Sequence, residues 1–94
     1  MNDDEYRGPA VLTFGRARHP VEIRMSAHFE PTEGRMRWAG RTAPDPLLLR
    51  ETTSGLREAE LSIEGSPPAG VRLSEPDPWG GIRLTGTGTP PWFR

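Results

Sequence analysis

This 94-residue chain has no cysteine and no lysine. Without cysteine there is no disulfide framework, no thiolate metal site and no cysteine nucleophile. Without lysine, all 12 side-chain cations are arginine, set against 13 aspartates and glutamates for a formal charge of −1. A nucleic-acid-binding domain carries a clear basic excess, so this balance argues against nucleic acid as a partner. Long apolar runs are absent too, and nothing approaches the length of a membrane span. The start, Met1-Asn2-Asp3-Asp4-Glu5, is acidic and lacks the apolar segment of a signal peptide; no membrane partner and a cytoplasmic location are expected. Apolar residues are scarce at 33%, and 11 Gly and 11 Pro raise the question of disorder, but three Trp and three Phe argue for a folded core.

What is present is alternation. Val21, Ile23, Met25 and Phe29 fall on one side of an extended segment, and Glu22, Arg24, Ser26 and His28 on the other. The same pattern returns at Ala59, Leu61 and Ile63, at Val71 and Leu73, and at Ile82 and Leu84. A period of two marks a half-buried strand. Strands are predicted over residues 10–14, 20–29, 35–42, 56–64, 70–74 and 81–87. Asp45 as N-cap followed by Pro46 predicts one short helical turn near residues 46–51, whose leucines would plug an open end of the sheet. The expected fold is therefore all-β: a small antiparallel six-stranded meander closed into a barrel or a two-layer sandwich. Residues 1–7 read as a disordered acidic lead-in, 8–88 as a single β domain and 89–94 as a Pro-Pro-Trp-Phe tail. A barrel this small is filled by its own side chains, which argues against a lipocalin-like interior pocket.

The loop Glu30-Pro31-Thr32-Glu33-Gly34-Arg35 reads as a hairpin with glycine available for a positive φ. Matching the apolar faces pairs Phe29 with Met36, which places His28 opposite Arg37, Glu30 opposite Arg35 and Arg24 opposite Arg41. Arg24, His28, Arg37 and Arg41 then share the outer face of one hairpin. Two arginines directly opposite each other cost stability unless an anion bridges them or an acid neutralises them, so this face is the first candidate binding surface. Trp79, in the turn Asp77-Pro78-Trp79-Gly80, either stacks on a flat ligand or lids the barrel end, and the lid is the simpler expectation. Trp92 and Phe93 either fold back onto the barrel or dock into a partner. Glu30 and Asp77 fall at the same barrel end if their connections are equivalent hairpins. No residues are assigned to catalysis: Ser26, His28 and Asp45 lack a nucleophile-elbow motif. No metal or cofactor site is expected, since the two histidines, His19 and His28, fall on opposite faces of one strand.

The string Tyr6-Arg7-Gly8-Pro9-Ala10, followed by His28-Phe29-Glu30-Pro31, Gly34-Arg35, Trp38, Gly40-Arg41, Asp77-Pro78-Trp79-Gly80, Gly86-Thr87-Gly88 and Pro90-Pro91, resembles the actinobacterial family called domain of unknown function 4873. The resemblance covers nearly the whole chain after Glu5; Met36-Arg37 and Ala39 depart from the family pattern. That family occurs as small free-standing proteins and as a C-terminal module on flavin-dependent monooxygenase-like oxidoreductases. The resemblance thus implies an accessory role beside a redox enzyme, and the chain itself has no dinucleotide fingerprint. The expected function is a non-enzymatic accessory or binding module acting by protein–protein contact, with a flavin-dependent oxidoreductase or a second copy as partner. Its contact residues would be Arg24, His28, Arg37, Arg41, Trp92 and Phe93. The alternative is a binder of a small anionic or aromatic ligand at a barrel mouth near Trp79 and His28.

Overall fold

The apolar alternation along residues 17–30 becomes the longest strand of a closed barrel in the computed structural model, which describes residues 4–93. The elements in chain order are β1 (Glu5–Phe14), β2 (Ala17–Glu30), β3 (Arg35–Thr42), α1 (Pro46–Thr53), β4 (Glu58–Ser62), β5 (Ala69–Pro76) and β6 (Ile82–Thr87). All pairings are antiparallel, and the circular order is β1-β2-β3-β6-β5-β4. Closure resolves the choice between barrel and sandwich, but the path is not a plain meander. After β3 the chain leaves the sheet through α1 and re-enters beside β1; β4, β5 and β6 then run back to meet β3. Proline on both sides of Asp45 ends β3, and the helix carries the chain across the open end rather than turning it straight back.

That end, where β3 and β5 finish and β6 begins, is plugged by Leu48 of α1, which is fully buried. Of the three leucines expected there, Leu47 is only partly buried and Leu49 is exposed. The opposite end, at the β2–β3 hairpin, is closed by the C-terminal segment. Pro90 and Pro91 are buried, and Trp92 stacks on Tyr6 at 6.2 Å and meets Trp38 edge-on at 5.9 Å. Between the two plugs lie Leu12, Ile23, Met25, Trp38, Leu61, Leu73, Ile82 and Leu84, nearly or fully buried. Each such side chain contributes about 1.5–3 kcal/mol of transfer free energy.

The hairpin register is the expected one: Arg24↔Arg41, His28↔Arg37, Phe29↔Met36 and Glu30↔Arg35. Gly34 takes a φ of 67° and its N–H donates to Glu30 O at 2.8 Å. Three expectations change. Glu5-Tyr6-Arg7 are not lead-in: they pair with Ser26, Met25 and Arg24 as the start of β1, because β2 is long enough to template them; Met1 to Asp3 lie outside the described residues. Phe29 has the apolar parity but is 56% exposed, since it sits at the hairpin tip, beyond the barrel wall that would cover it. The tail, 89–94 in the sequence reading, is part of the core as far as Phe93; Arg94 lies outside the described residues. Among the described residues no helix is long and apolar enough to cross a membrane.

Asp45 joins three parts of the fold. Its Oδ1 accepts the Leu48 N–H at 3.0 Å as the N-cap, and its Oδ2 lies 2.7 Å from His19 Nε2 on β2. Asp45→Ala is expected to cost about 1–2 kcal/mol through the lost cap, read as a fall in Tm of roughly 4–8 °C per kcal/mol in a domain of this size. His19→Ala, which leaves the cap intact, is expected to cost less in the same thermal scan.

Candidate functional site

The outer wall of the barrel carries the polar half of every strand, and there the register assembles one unusual feature. Arg7 on β1 lies opposite Arg24 on β2, Arg24 opposite Arg41 on β3, and Arg41 opposite Arg83 on β6. Four exposed arginines thus form a single row across four neighbouring strands. Among the described residues only Arg41 of the four has an acidic partner, Asp77 at 3.7 Å. Like charges facing each other across strands cost about 0.2–1 kcal/mol per pair, and among the described residues no ion pair offsets that cost for Arg7, Arg24 and Arg83.

Trp79 stands beside this row. The loop that bears it is held by Asp77, whose Oδ1 accepts the N–H groups of both Trp79 and Gly81 at 2.9 Å. Asp77 N donates to Gly81 O at 2.8 Å, and Ile82 N donates to Thr42 Oγ1 at 3.1 Å. At Gly81 a Cβ would fall 2.4 Å from Thr42 O, so only glycine lets the loop lie this close to β3. The result is a braced loop whose indole is 72% exposed. Trp79 is therefore not a lid; Leu48 already closes that end, and the braced backbone points the ring outward. Trp79, Arg7, Arg24, Arg41, Glu22 and Asp77 line a common notch of about 370 Å³.

The remaining candidates fall elsewhere. His28 and Arg37 share the outer face with Arg24 and Arg41 but lie towards the hairpin end, where loop acids meet them: Arg37 pairs with Glu33 at 3.2 Å, and His28 Nε2 is 3.8 Å from Glu30. The face predicted as one cluster is thus two regions, and a single mouth containing both Trp79 and His28 does not exist, because Trp79 belongs to the α1 end. Glu30 and Asp77 likewise occupy opposite ends, since β3 and β6 place their preceding loops at opposite edges of the barrel. Trp92 and Phe93 pack inward rather than presenting an apolar tip. Burial, with smaller contributions from Glu22 and Glu64, raises the Tyr6 phenol above its usual range, so it stays protonated and donates to Pro9 O at 2.7 Å. Asp45 serves His19 rather than Ser26 or His28, and among the described residues no three His, Asp or Glu gather as metal ligands.

Sequence reasoning missed Arg7 and Arg83. Arg7 was hidden in the supposed lead-in. Arg83 has the outward parity on β6, but its alignment with Arg41 depends on the β3–β6 pairing, which no local pattern announces.

A protein-family model described as a domain of unknown function, number 4873, matches residues 3–93. Uncharacterised proteins from Mycobacterium bovis and from two strains of Mycobacterium tuberculosis are 39% identical over 94 residues, covering 99% of this chain and 26% of their own length. The chain therefore spans about a quarter of the curated relatives it matches. No solved structure matches it.

Proposed function

Because the chain belongs to the family described as domain of unknown function 4873, we propose that it is a non-enzymatic accessory module that docks on an acidic protein surface through its arginine row and Trp79. The row itself carries this reading. At about 4.8 Å per strand, Arg7 to Arg83 extends roughly 14 Å along the wall. One carboxylate or phosphate bridges two guanidinium groups, too few for Arg7, Arg24 and Arg83, whereas an extended acidic surface meets all three and competes with Asp77 for Arg41. Trp79 adds the second ingredient, since a rigid exposed tryptophan beside arginines is the composition that dominates binding hot spots. In the mycobacterial relatives the matching region is a quarter of a longer polypeptide, which supports a domain that works beside others. The resemblance to modules attached to flavin-dependent monooxygenase-like oxidoreductases makes such an enzyme the proposed partner, in the cytoplasm.

Affinity capture from an actinobacterial lysate tests the reading, with bound flavin and mass spectrometry identifying the partner. The wild-type domain is expected to retain a flavoprotein at low salt and release it as ionic strength rises. Arg24→Ala with Arg41→Ala is expected to weaken retention roughly tenfold or more, while Tm stays level or rises slightly as the like-charge contact is relieved. Equal capture by the double variant, or no flavoprotein at all, overturns the proposal.

A further inference from the structure

The Asp77 carboxylate carries two tasks, and they fall on different oxygens. Oδ1 accepts the N–H groups of Trp79 and Gly81, each at 2.9 Å. Oδ2 faces Arg41 Nη1 at 3.7 Å, beyond hydrogen-bond distance. The loop has other ties that hold its shape without that ion pair. Asp77 N donates to Gly81 O at 2.8 Å, Gly80 N to Asp77 O at 3.1 Å, and Asp45 N to Gly80 O at 3.1 Å. At Gly81 a Cβ would fall 2.7 Å from Oδ2, so the glycine also leaves room for the carboxylate to lie where it does.

The two partners differ in freedom. The Asp77 side chain is 19% exposed and held by its two hydrogen bonds, whereas the Arg41 side chain is 60% exposed. Arg41 can swing away while Asp77 stays. A loose surface pair of this kind is weak, so a competing carboxylate can displace it. Among the described residues Arg7, Arg24 and Arg83 have no ion pair. Arg41 is therefore the one member of the row that docking must first release.

We infer that Asp77 is a built-in attenuator of the docking face proposed above, on which reading this rests: it stands in for one carboxylate of the acidic partner, which must displace it from Arg41. Exchanging Asp77 for a partner acid gains no net ion pair at Arg41 and leaves the Asp77 charge facing the incoming acids. Arg7, Arg24 and Arg83 each gain a partner at no such cost. Docking is thus driven by the three open arginines and Trp79, and an acidic group too small to reach them gains little. Asp77 selects extended acidic surfaces over single carboxylates, while its other oxygen keeps Trp79 presented.

Asp77→Asn separates the two tasks, since the amide Oδ1 still accepts both N–H groups while the charge facing Arg41 is gone. The probe is octa-glutamate, titrated into the protein by calorimetry over a series of salt concentrations. The Asp77→Asn variant is expected to bind it roughly fivefold more tightly than the wild type, with Tm unchanged. Its affinity is also expected to fall more steeply with salt, because one more ion pair forms on binding. Asp77→Ala, which removes the acceptor as well, is expected to lower Tm. In the wild type Arg41→Ala is expected to weaken binding less than Arg24→Ala does, and in the Asp77→Asn background by as much. A purely structural aspartate would not produce that dependence on background. Binding by the wild type with no gain in the folded Asp77→Asn variant, or equal losses from Arg41→Ala and Arg24→Ala in the wild type, overturns the attenuator and leaves the docking face standing. No binding by either protein up to roughly 1 mM probe overturns both.

Discussion

Gly40→Ala is expected to destabilise the protein by about 3 kcal/mol, the top of the usual range for overpacking a core. Gly40 lies opposite Met25 on β2, and a Cβ there would fall 1.9 Å from Arg24 O and 2.7 Å from both Cα and Sδ of Met25. The sulfur could rotate away, but the backbone atoms cannot. On its other edge β2 is bonded along its length to β1, where Arg24 faces Arg7 and Met25 faces Tyr6, so separating β2 from β3 would distort the barrel. Small domains have only about 5–15 kcal/mol in hand, so the variant loses much of its stability margin. The denaturant midpoint measures this; an unchanged midpoint would show that the strands open at little cost. Gly86→Ala is a milder companion, because its Cβ meets the Trp38 ring at 2.1 Å, a side chain with some freedom to tilt.

Truncation after Thr89 is expected to cost about 3 kcal/mol or more, in the range of losing a large aromatic side chain from a core. The removed segment contains two buried prolines and the Trp92 ring that packs on Tyr6 and Trp38. Without it the hairpin end of the core is open to water. Thermal unfolding reads the loss, and a red shift of tryptophan emission reports the hydration of Trp38. The same experiment distinguishes a plug from a docking peptide: a docking tail would leave Tm unchanged on removal and abolish partner capture, whereas a plug lowers Tm directly.

The candidate sites divide along similar lines. Arg24 opposite Arg41 was legible because both belong to one hairpin, and a single turn between two alternating strands sets every facing pair. Extending that pair to a row of four required Arg7 to be in a strand and β6 to lie beside β3. Trp79 was expected to be a lid because a lone tryptophan in a turn is valuable to a small core; only the hydrogen bonds of Asp77 reveal that the loop is braced and the ring left outside.

The local alternation of apolar and polar residues by itself determined β2 to β6, the second half of β1 and the β2–β3 register, because those depend on a period of two and one short turn. Asp45-Pro46 likewise determined where the helix begins. Barrel closure, the order β1-β2-β3-β6-β5-β4, the inward fold of Trp92 and the alignment of Arg7, Arg24, Arg41 and Arg83 were decided only in three dimensions. Each depends on which distant strand completes the wall, and the amphipathic pattern of one strand is compatible with many neighbours.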